Sequence, residues 1–508
     1  MEQRQLLNYI HNNYEIQNWE ISGVSVWPLI RLKLFNGLAV EEQLGENVYK
    51  DNKWDKLSNA VMLICSALLV FVICLIDYKN DNKVKNEDVA ITGYYHLRNF
   101  KVPDGRYYNT QIDPVVSLLK KINCRVKVFE HIVKVPFLRK FNKIPRYSKS
   151  CLTYFSFLRI KIKYLMYKKG GKYLYAESNC GDEYEQFRRD MINHGIPYEY
   201  IWTYRDLCEK VYEINCIKDY YKKKLNVMTC KLGICVVDGI NPWSQAFFLA
   251  CRELGIKTIE LQHGIISKDQ IAFSNWKCNS MGYANLPDYY FCWDDVSTDI
   301  VNNWANCTKL HHAVNTGNIW HEVWNKNIGQ GIQEYKKKFG EKVSDIRGKY
   351  SKLVLISLQG DRIPMPNYVS EVVYMKSDIF WIIRLHPTTG KKELEKTKEM
   401  YSEKDNIYYD EGGEVPLLAW LEIIDLHITC ISAVTIEAGW HGIPTISVDT
   451  SGVAQRAFAD LLQKKCLNIA HNKDELINYL NMDREYMHNN QLSGKKDFCE
   501  AIQSLLMN

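Results

Sequence analysis

The sequence predicts an α/β protein made of two doubly wound, Rossmann-like domains, and three observations predict it. The chain has 508 residues, too many for one ordinary hydrophobic core, so two domains are expected. Across 232–261 an apolar run, a helical pattern and a second apolar run follow one another within about 30 residues, which marks a βαβ unit and therefore a parallel sheet. From Lys352 the alternation starts afresh and continues to Val448.

In the first domain, strands are expected at 88–94 (DVAITGY), 125–129 and 232–237 (LGICVV), the last ending in Asp238-Gly239-Ile240-Asn241-Pro242. A helix at 244–254, a turn at Gly255 and a strand at 258–261 follow, running into Gln262-His263-Gly264. Strands at 289–293 and 313–316 continue the pattern until Gly317-Asn318 interrupts it. In the second domain, strands are expected at 353–358, 380–385, 407–409, 426–429 and 445–448. Helices fit between them at 367–375, 391–401, 416–422 and 432–440. The organisation expected is an N-terminal segment 1–87, a first domain 88–317 and a second domain 318–508.

Composition is that of a folded protein, with 46% apolar and 24% charged residues, and no repeat or low-complexity tract. The sixteen cysteines are scattered and contain no Cys-x-x-Cys pair, which fits a reducing compartment better than a disulfide framework or a zinc site. Residues 1–18 are polar and mixed in charge, so no secretory signal is expected and the protein is placed in the cytoplasm.

Two features point to a membrane surface. Residues 57–76 read LSNAVMLICSALLVFVICLI, uncharged and long enough to span a bilayer core as a helix. Lysines flank this run on both sides, so it reads as a helix dipping into the membrane, a span, or a core helix. A span would put residues 1–56 on the opposite side from the domains, although 19–38 (WEISGVSVWPLIRLKLFNGL) looks like part of the fold. Residues 120–173 hold sixteen Lys/Arg and one acidic residue, Glu130, interleaved with aromatics, whereas the whole chain carries only +6. That pattern suits an anionic lipid surface. A solvated basic face is the plainer reading, and nucleic-acid binding has no fold motif to support it.

Ligands of doubly wound sheets bind at the carboxyl ends of the strands. The unusual polar residues of the second half fall there: Gln359-Gly360-Asp361, Arg384-Leu385-His386-Pro387, Thr429, and Ser432-Ala433 at the start of the next helix. Ser432 is expected as an N-cap, at a helix end that offers N–H groups and positive dipole to a phosphate. Glu437 lies among apolar neighbours and needs either an ion-pair partner or a ligand such as a ribose diol. His386 is expected at a cleft rim, where an imidazolium would neutralise a leaving phosphate; alone it would as readily be structural. His263, ending a strand of the first domain, poses the same question.

Glu260-Leu-Gln-His-Gly264, Pro287-Asp-Tyr-Tyr-Phe291, Thr316-Gly-Asn318, Arg384-Leu-His-Pro387, and Ser432-Ala-Val-Thr-Ile-Glu-Ala438 followed by Gly442-Ile-Pro-Thr-Ile446 occur in that order. In this set the chain resembles bacterial GT-B glycosyltransferases of capsule and O-antigen loci, a broad group that includes His-Pro sialyltransferases and glycerophosphotransferases. The resemblance implies two Rossmann-like domains facing a cleft, preceded here by an apolar helix. It implies a nucleotide-sugar donor, a polyprenyl-linked or polysaccharide acceptor, no divalent metal or other cofactor, and a place at the cytoplasmic face of the inner membrane.

Carried over to this chain, His386 and Ser432 match positions that hold the donor phosphate. Glu437 matches the acidic residue near the ribose, and His263 the histidine entering the cleft from the first domain. The candidate donor-binding set is thus Gln359, Arg384, His386, Thr429, Ser432, Ala433 and Glu437, and the candidate catalytic set is His263, Asp238 and His386. The acidic-acidic-Gly motif that the His-Pro sialyltransferases use for the general base is reduced here to Val237-Asp238-Gly239, which leaves the base open, and the sequence does not decide between inversion and retention. Asp294-Asp295 reads as a loop or helix start and not as a metal site. A polyol-phosphate transferase, a nucleotide-sugar epimerase of related fold and a non-catalytic assembly protein at the membrane remain as alternatives.

Overall fold

The computed structural model describes residues 3–41, 86–94, 98–102, 107–131, 166, 177–236, 241–329, 331–359, 363–386, 391–401, 404–410, 415–463, 466–481 and 496–507. The apolar run 57–76 and most of the basic segment 120–173 lie outside these residues, as does Asp238. Among the described residues no helix is long and apolar enough to cross a membrane.

The chain forms two compact units, neither continuous in sequence. The first contains Met1–His96, Leu118–Gly317 and Lys495–Asn508; the second contains Leu97–Ser117 and Asn318–Gly494. The sequence had suggested unbroken domains at 88–317 and 318–508. A short hairpin near residue 100 and the last helix therefore each belong to the unit that their place in the chain would not suggest.

The strands in chain order are β1 (Glu20–Ile21), β2 (Val24–Ser25), β3 (Val89–Tyr94), β4 (Arg98–Lys101), β5 (Tyr107–Asn109), β6 (Val126–His131), β7 (Leu232–Cys235), β8 (Lys257–Leu261), β9 (Tyr289–Cys292) and β10 (His312–Asn315). The second unit adds β11 (Lys352–Ser357), β12 (Ile379–Arg384), β13 (Ile407–Asp410), β14 (Leu426–Thr429), β15 (Thr445–Ser447) and β16 (Leu467–Ile469).

The first unit's sheet runs β10-β9-β8-β7-β3-β6, parallel throughout. Counted from β3, its order is 2-1-3-4-5-6, with the topological switch between β3 and β7. All four β7 residues are buried, as expected of a strand covered on both faces. The preceding N-terminal residues pack into this unit's core. Helix Gln3–Asn13 buries Leu6, Leu7 and Ile10, and Trp27 at the start of helix Val26–Glu41 is fully buried.

Arg31 of that helix is also buried. Its guanidinium donates to the carbonyls of Ser274 (2.6 Å) and Asn275 (3.1 Å). It stacks on Trp276 at 4.3 Å and on Trp27 at 5.2 Å, so two indoles take the place of a counter-ion. Burial lowers the Arg31 pKa to about 9, which leaves it charged near neutral pH. A second tie runs through Asn285, whose Nδ2 donates to Ser25 (3.0 Å) and to Gln245 (2.7 Å), while Gln245 donates to Pro28 (3.3 Å). Residues 19–38 are integral to the fold, as their composition suggested.

The second unit's sheet runs β13-β12-β11-β14-β15-β16, again parallel throughout. Counted from β11 this is 3-2-1-4-5-6, the order of a dinucleotide-type doubly wound sheet, and its switch lies between β11 and β14. β16, not foreseen in the sequence, is three residues long, with Leu467 alone buried. Five of six residues in β11 and in β12 are buried.

Candidate functional site

Gln359, Arg384 and Thr429 lie at the carboxyl ends of β11, β12 and β14 in the second unit's sheet. β11 runs out through Leu358 to Gln359, and β14 through Cys430 to Ile431. Gln359 Oε1 accepts a 3.0 Å bond from the Ile431 N–H, joining the two loops across the switch. The segment after β14 then turns into helix Val434–Trp440.

That turn differs from the expected one. Ala433, with helical backbone angles, is the N-cap residue, and its own side chain makes no capping bond. Ser432 precedes it, and its hydroxyl accepts from the Val434 N–H at 3.3 Å. Seven residues also make a short helix, whose dipole contributes correspondingly little.

Two further candidates are committed to the framework. Arg384 ends β12 in register with Asp410 at the end of β13. Its Nη1 donates to the Asp410 carboxylate and to the Val415 carbonyl (2.8 Å). The Asp410 side chain is wholly buried and also accepts from the Trp420 indole at 3.0 Å. A buried carboxylate demands such partners, so Arg384 has a role in the framework. Thr429 is fully buried and donates its hydroxyl to the Ser357 carbonyl at 2.9 Å, stitching β14 to β11.

Glu437 has a different setting. Its side chain is 13% exposed, and Oε1 receives the imidazole Nε2 of His321 at 3.1 Å. His321 was not singled out in the sequence. It lies in helix Ile319–Asn325, which Asn318 caps by accepting from the N–H groups of Trp320 (2.9 Å) and His321 (3.2 Å). The same helix is fastened by Trp324, whose indole donates to Glu422 at 2.8 Å. A Gly-Asn pair opening a short helix was the signal available; its partner lies 116 residues further on. His441 packs beside His321 with ring centroids 5.2 Å apart, and burial lowers its pKa to about 4, reinforced by His321 and Lys336.

His386 is exposed on the loop after β12. In the first unit, His263 is half-buried directly after β8, with its ring 6.5 Å from that of Phe273. The loop carrying it is fixed by Gln262, whose Nε2 donates to the Gly264 carbonyl (2.9 Å) and Ser297 (3.2 Å) while its Oε1 accepts from the Trp293 N–H (2.7 Å). Asp294 caps helix Asp295–Ala305 by accepting from Ser297 at 2.7 Å, and Asp295 accepts from Asn315 at 3.0 Å. The Asp294-Asp295 pair is thus the helix start that was expected. Among the described residues no three His, Cys, Asp or Glu side chains are grouped as a metal site.

Two doubly wound sheets with polar strand ends define an α/β protein of the two-Rossmann class. No family model and no curated protein matches the sequence. Solved structures of similar fold include a protein assigned as a UDP-N-acetylglucosamine 2-epimerase from Listeria monocytogenes (13% identity, 83% of this chain and 95% of that one, TM-score 0.49). The UDP-GlcNAc 2-epimerase of Neisseria meningitidis shares 12% identity over 83% of this chain and 99% of its own, with a TM-score of 0.47. A glycosyltransferase of kitacinnamycin shares 11% over 83% and 95%, with a TM-score of 0.43.

Proposed function

We propose that the chain is a glycosyltransferase that moves a sugar from a nucleotide-activated donor to a lipid-linked or growing surface polysaccharide of the capsule or O-antigen kind. One observation carries the reading. The Gln359–Ile431 bond joins the loops at the switch point of the second sheet, and the helix after β14 carries Glu437, a mostly buried carboxylate with a single described partner. A carboxylate has room for about four donors, and a ribose diol supplies two.

In this reading the second unit holds the nucleotide, with Gln359, Ser432, Ala433 and Glu437 around it. Cleavage of the sugar–phosphate bond develops negative charge on the departing phosphate, and an imidazolium at His386 stabilises it. Inversion requires a base for the acceptor hydroxyl, for which Asp238 and His263 are the candidates; retention requires none. No metal is invoked. The acceptor is taken to lie at the cytoplasmic face of the membrane, a reading supported by the apolar run 57–76 and the basic segment 120–173.

The test is to offer nucleotide-sugars and CDP-polyols, with and without a polyprenyl-phosphate acceptor, and to identify the product. Transfer of a sugar is expected. Transfer of a polyol-phosphate, epimerisation, or no turnover at all would replace this reading by one of the alternatives. In calorimetry, Glu437→Ala should weaken nucleotide binding about tenfold or more, the loss of two ligand hydrogen bonds; unchanged affinity with the fold intact removes Glu437 from the site.

A further inference from the structure

We propose that His321 is a positioning residue for nucleotide recognition: it holds the Glu437 carboxylate in one orientation through Oε1 and leaves Oε2 for the ligand's ribose. The inference rests on the reading of Glu437 as a donor-binding residue and adds what makes that carboxylate specific. A carboxylate only accepts, so Nε2 of His321 is the donor in the 3.1 Å contact. His321 is 5% exposed. Its ring is held edge-on by Trp440, centroids 4.9 Å apart at 85°, and on another side by His441.

The helix beneath it is fixed independently of Glu437, by the Asn318 cap and by the Trp324–Glu422 bond. The imidazole is therefore placed before any ligand arrives. His441 and Lys336 are the other basic groups nearby. His441 is held neutral by burial, and Lys336 is paired with Glu422 at 2.8 Å. Among the described residues, His321 is the one that donates to Glu437, and Oε2 has no described partner. A flexible glutamate would lose rotamer entropy on gripping a ribose; one already fixed loses far less.

The experiment measures calorimetric affinity for UDP, GDP, CDP and CMP and for their 2′,3′-dideoxy counterparts, in the wild type, Glu437→Gln, His321→Ala and His321→Gln. Wild type should prefer one ribonucleotide over its dideoxy form by about tenfold or more, the worth of one or two hydrogen bonds. His321→Ala should lose most of that preference while binding the dideoxy form as wild type does. His321→Gln, whose amide reaches about where Nε2 stood, should retain it within about threefold. If His321→Ala fails to fold, His321→Asn, polar but too short to reach Glu437, takes its place.

A purely structural histidine would lower the unfolding temperature and weaken both ligands alike, and that outcome overturns the proposal. Discrimination abolished by Glu437→Gln but kept in His321→Ala removes the role of His321 and leaves the nucleotide site standing. Absence of any nucleotide binding by the wild type removes both.

Discussion

At the β12–β13 edge, Asp410 receives the Arg384 guanidinium and the Trp420 indole and is wholly buried. On the helix after β14, Glu437 receives one imidazole and is 13% exposed. Asp410 ends a strand of the second sheet and Glu437 lies in the helix after its β14, and both are paired with a basic side chain. The difference lies in how many of their acceptor sites the protein fills. Asp410 is wholly buried and receives two donors of the fold, and so holds two strand ends together. Glu437 is held but not saturated, which is the condition for a carboxylate that meets a ligand.

The sharpest way to break this comparison is Arg384→Ala. Removing one partner of a buried pair leaves the other charge stranded, at a cost of about 3–5 kcal/mol. Denaturant unfolding should register that loss, while the Glu437→Gln variant, whose residue keeps water within reach, should stay within about 1 kcal/mol of wild type. If Arg384→Ala instead keeps its stability and loses nucleotide affinity, the guanidinium belongs to the ligand and the contrast between the two edges collapses.

His386→Ala is the converse case. The side chain is exposed, so its loss should leave the unfolding midpoint almost unmoved. If it stabilises the departing phosphate, turnover should fall about 100-fold, as for one lost oxyanion donor. Steady-state kinetics beside a melting curve separates the two quantities. Normal turnover would place His386 outside the chemistry.

Strands were legible in the sequence because parallel strands covered on both faces are near-continuous apolar runs: 353–358 and 426–429 needed only LVLISL and LHIT to be read. β16 was missed because three residues with one buried side chain carry no periodicity. The fate of strand-end polar residues was hidden for another reason. Arg384 and Asp410 are cross-strand partners, so what Arg384 does depends on which strand lies beside it, and that is a tertiary fact. Ser is the favoured residue at a cap, but the N-cap falls one residue later, at Ala433. His321 and Glu437 meet across 116 residues, a distance over which no local pattern reaches.

Acidification should expose a contrast between interior histidines and the site. His427, in the middle of β14, sits between Ser357 (3.0 Å) and Thr445 (3.1 Å), and burial lowers its pKa to about 3. In the first unit, burial lowers His311 to about 4, with its Nε2 accepting from the Tyr283 N–H at 2.9 Å. An unfolded histidine titrates near 6.5, so below that pH the unfolded chain binds protons that the native rings refuse. Stability from these residues is complete above about pH 6.5 and falls as pH drops toward 4. At pH 5 each costs about 2 kcal/mol. Denaturant unfolding between pH 8 and 5 should show this slope, and His427→Asn should reduce it by about one proton. An unchanged slope would mean that His427 already carries its proton in the native sheet.

The smallest effect concerns the surface that the first unit is proposed to turn toward a membrane. Lys121 is exposed at the end of helix Ile112–Lys121, where the basic segment begins. A lysine near an anionic bilayer contributes about 1 kcal/mol to binding, so Lys121→Gln should lower partition onto anionic vesicles about fivefold at low salt. Raising the salt shortens the screening length to a few ångströms at about 1 M, and the two proteins should then partition alike. Any attachment that survives belongs to the apolar run 57–76, whose burial in lipid is indifferent to screening. Loss of a helix-terminal charge would also weaken the helix slightly; a melting curve reports that, and it does not depend on lipid. Flotation with neutral and anionic vesicles, each at low and high salt, therefore assigns the effect to one cause. Should the intact protein stay in the soluble fraction with anionic vesicles at low salt, the membrane reading falls, and 120–173 is a solvated basic face.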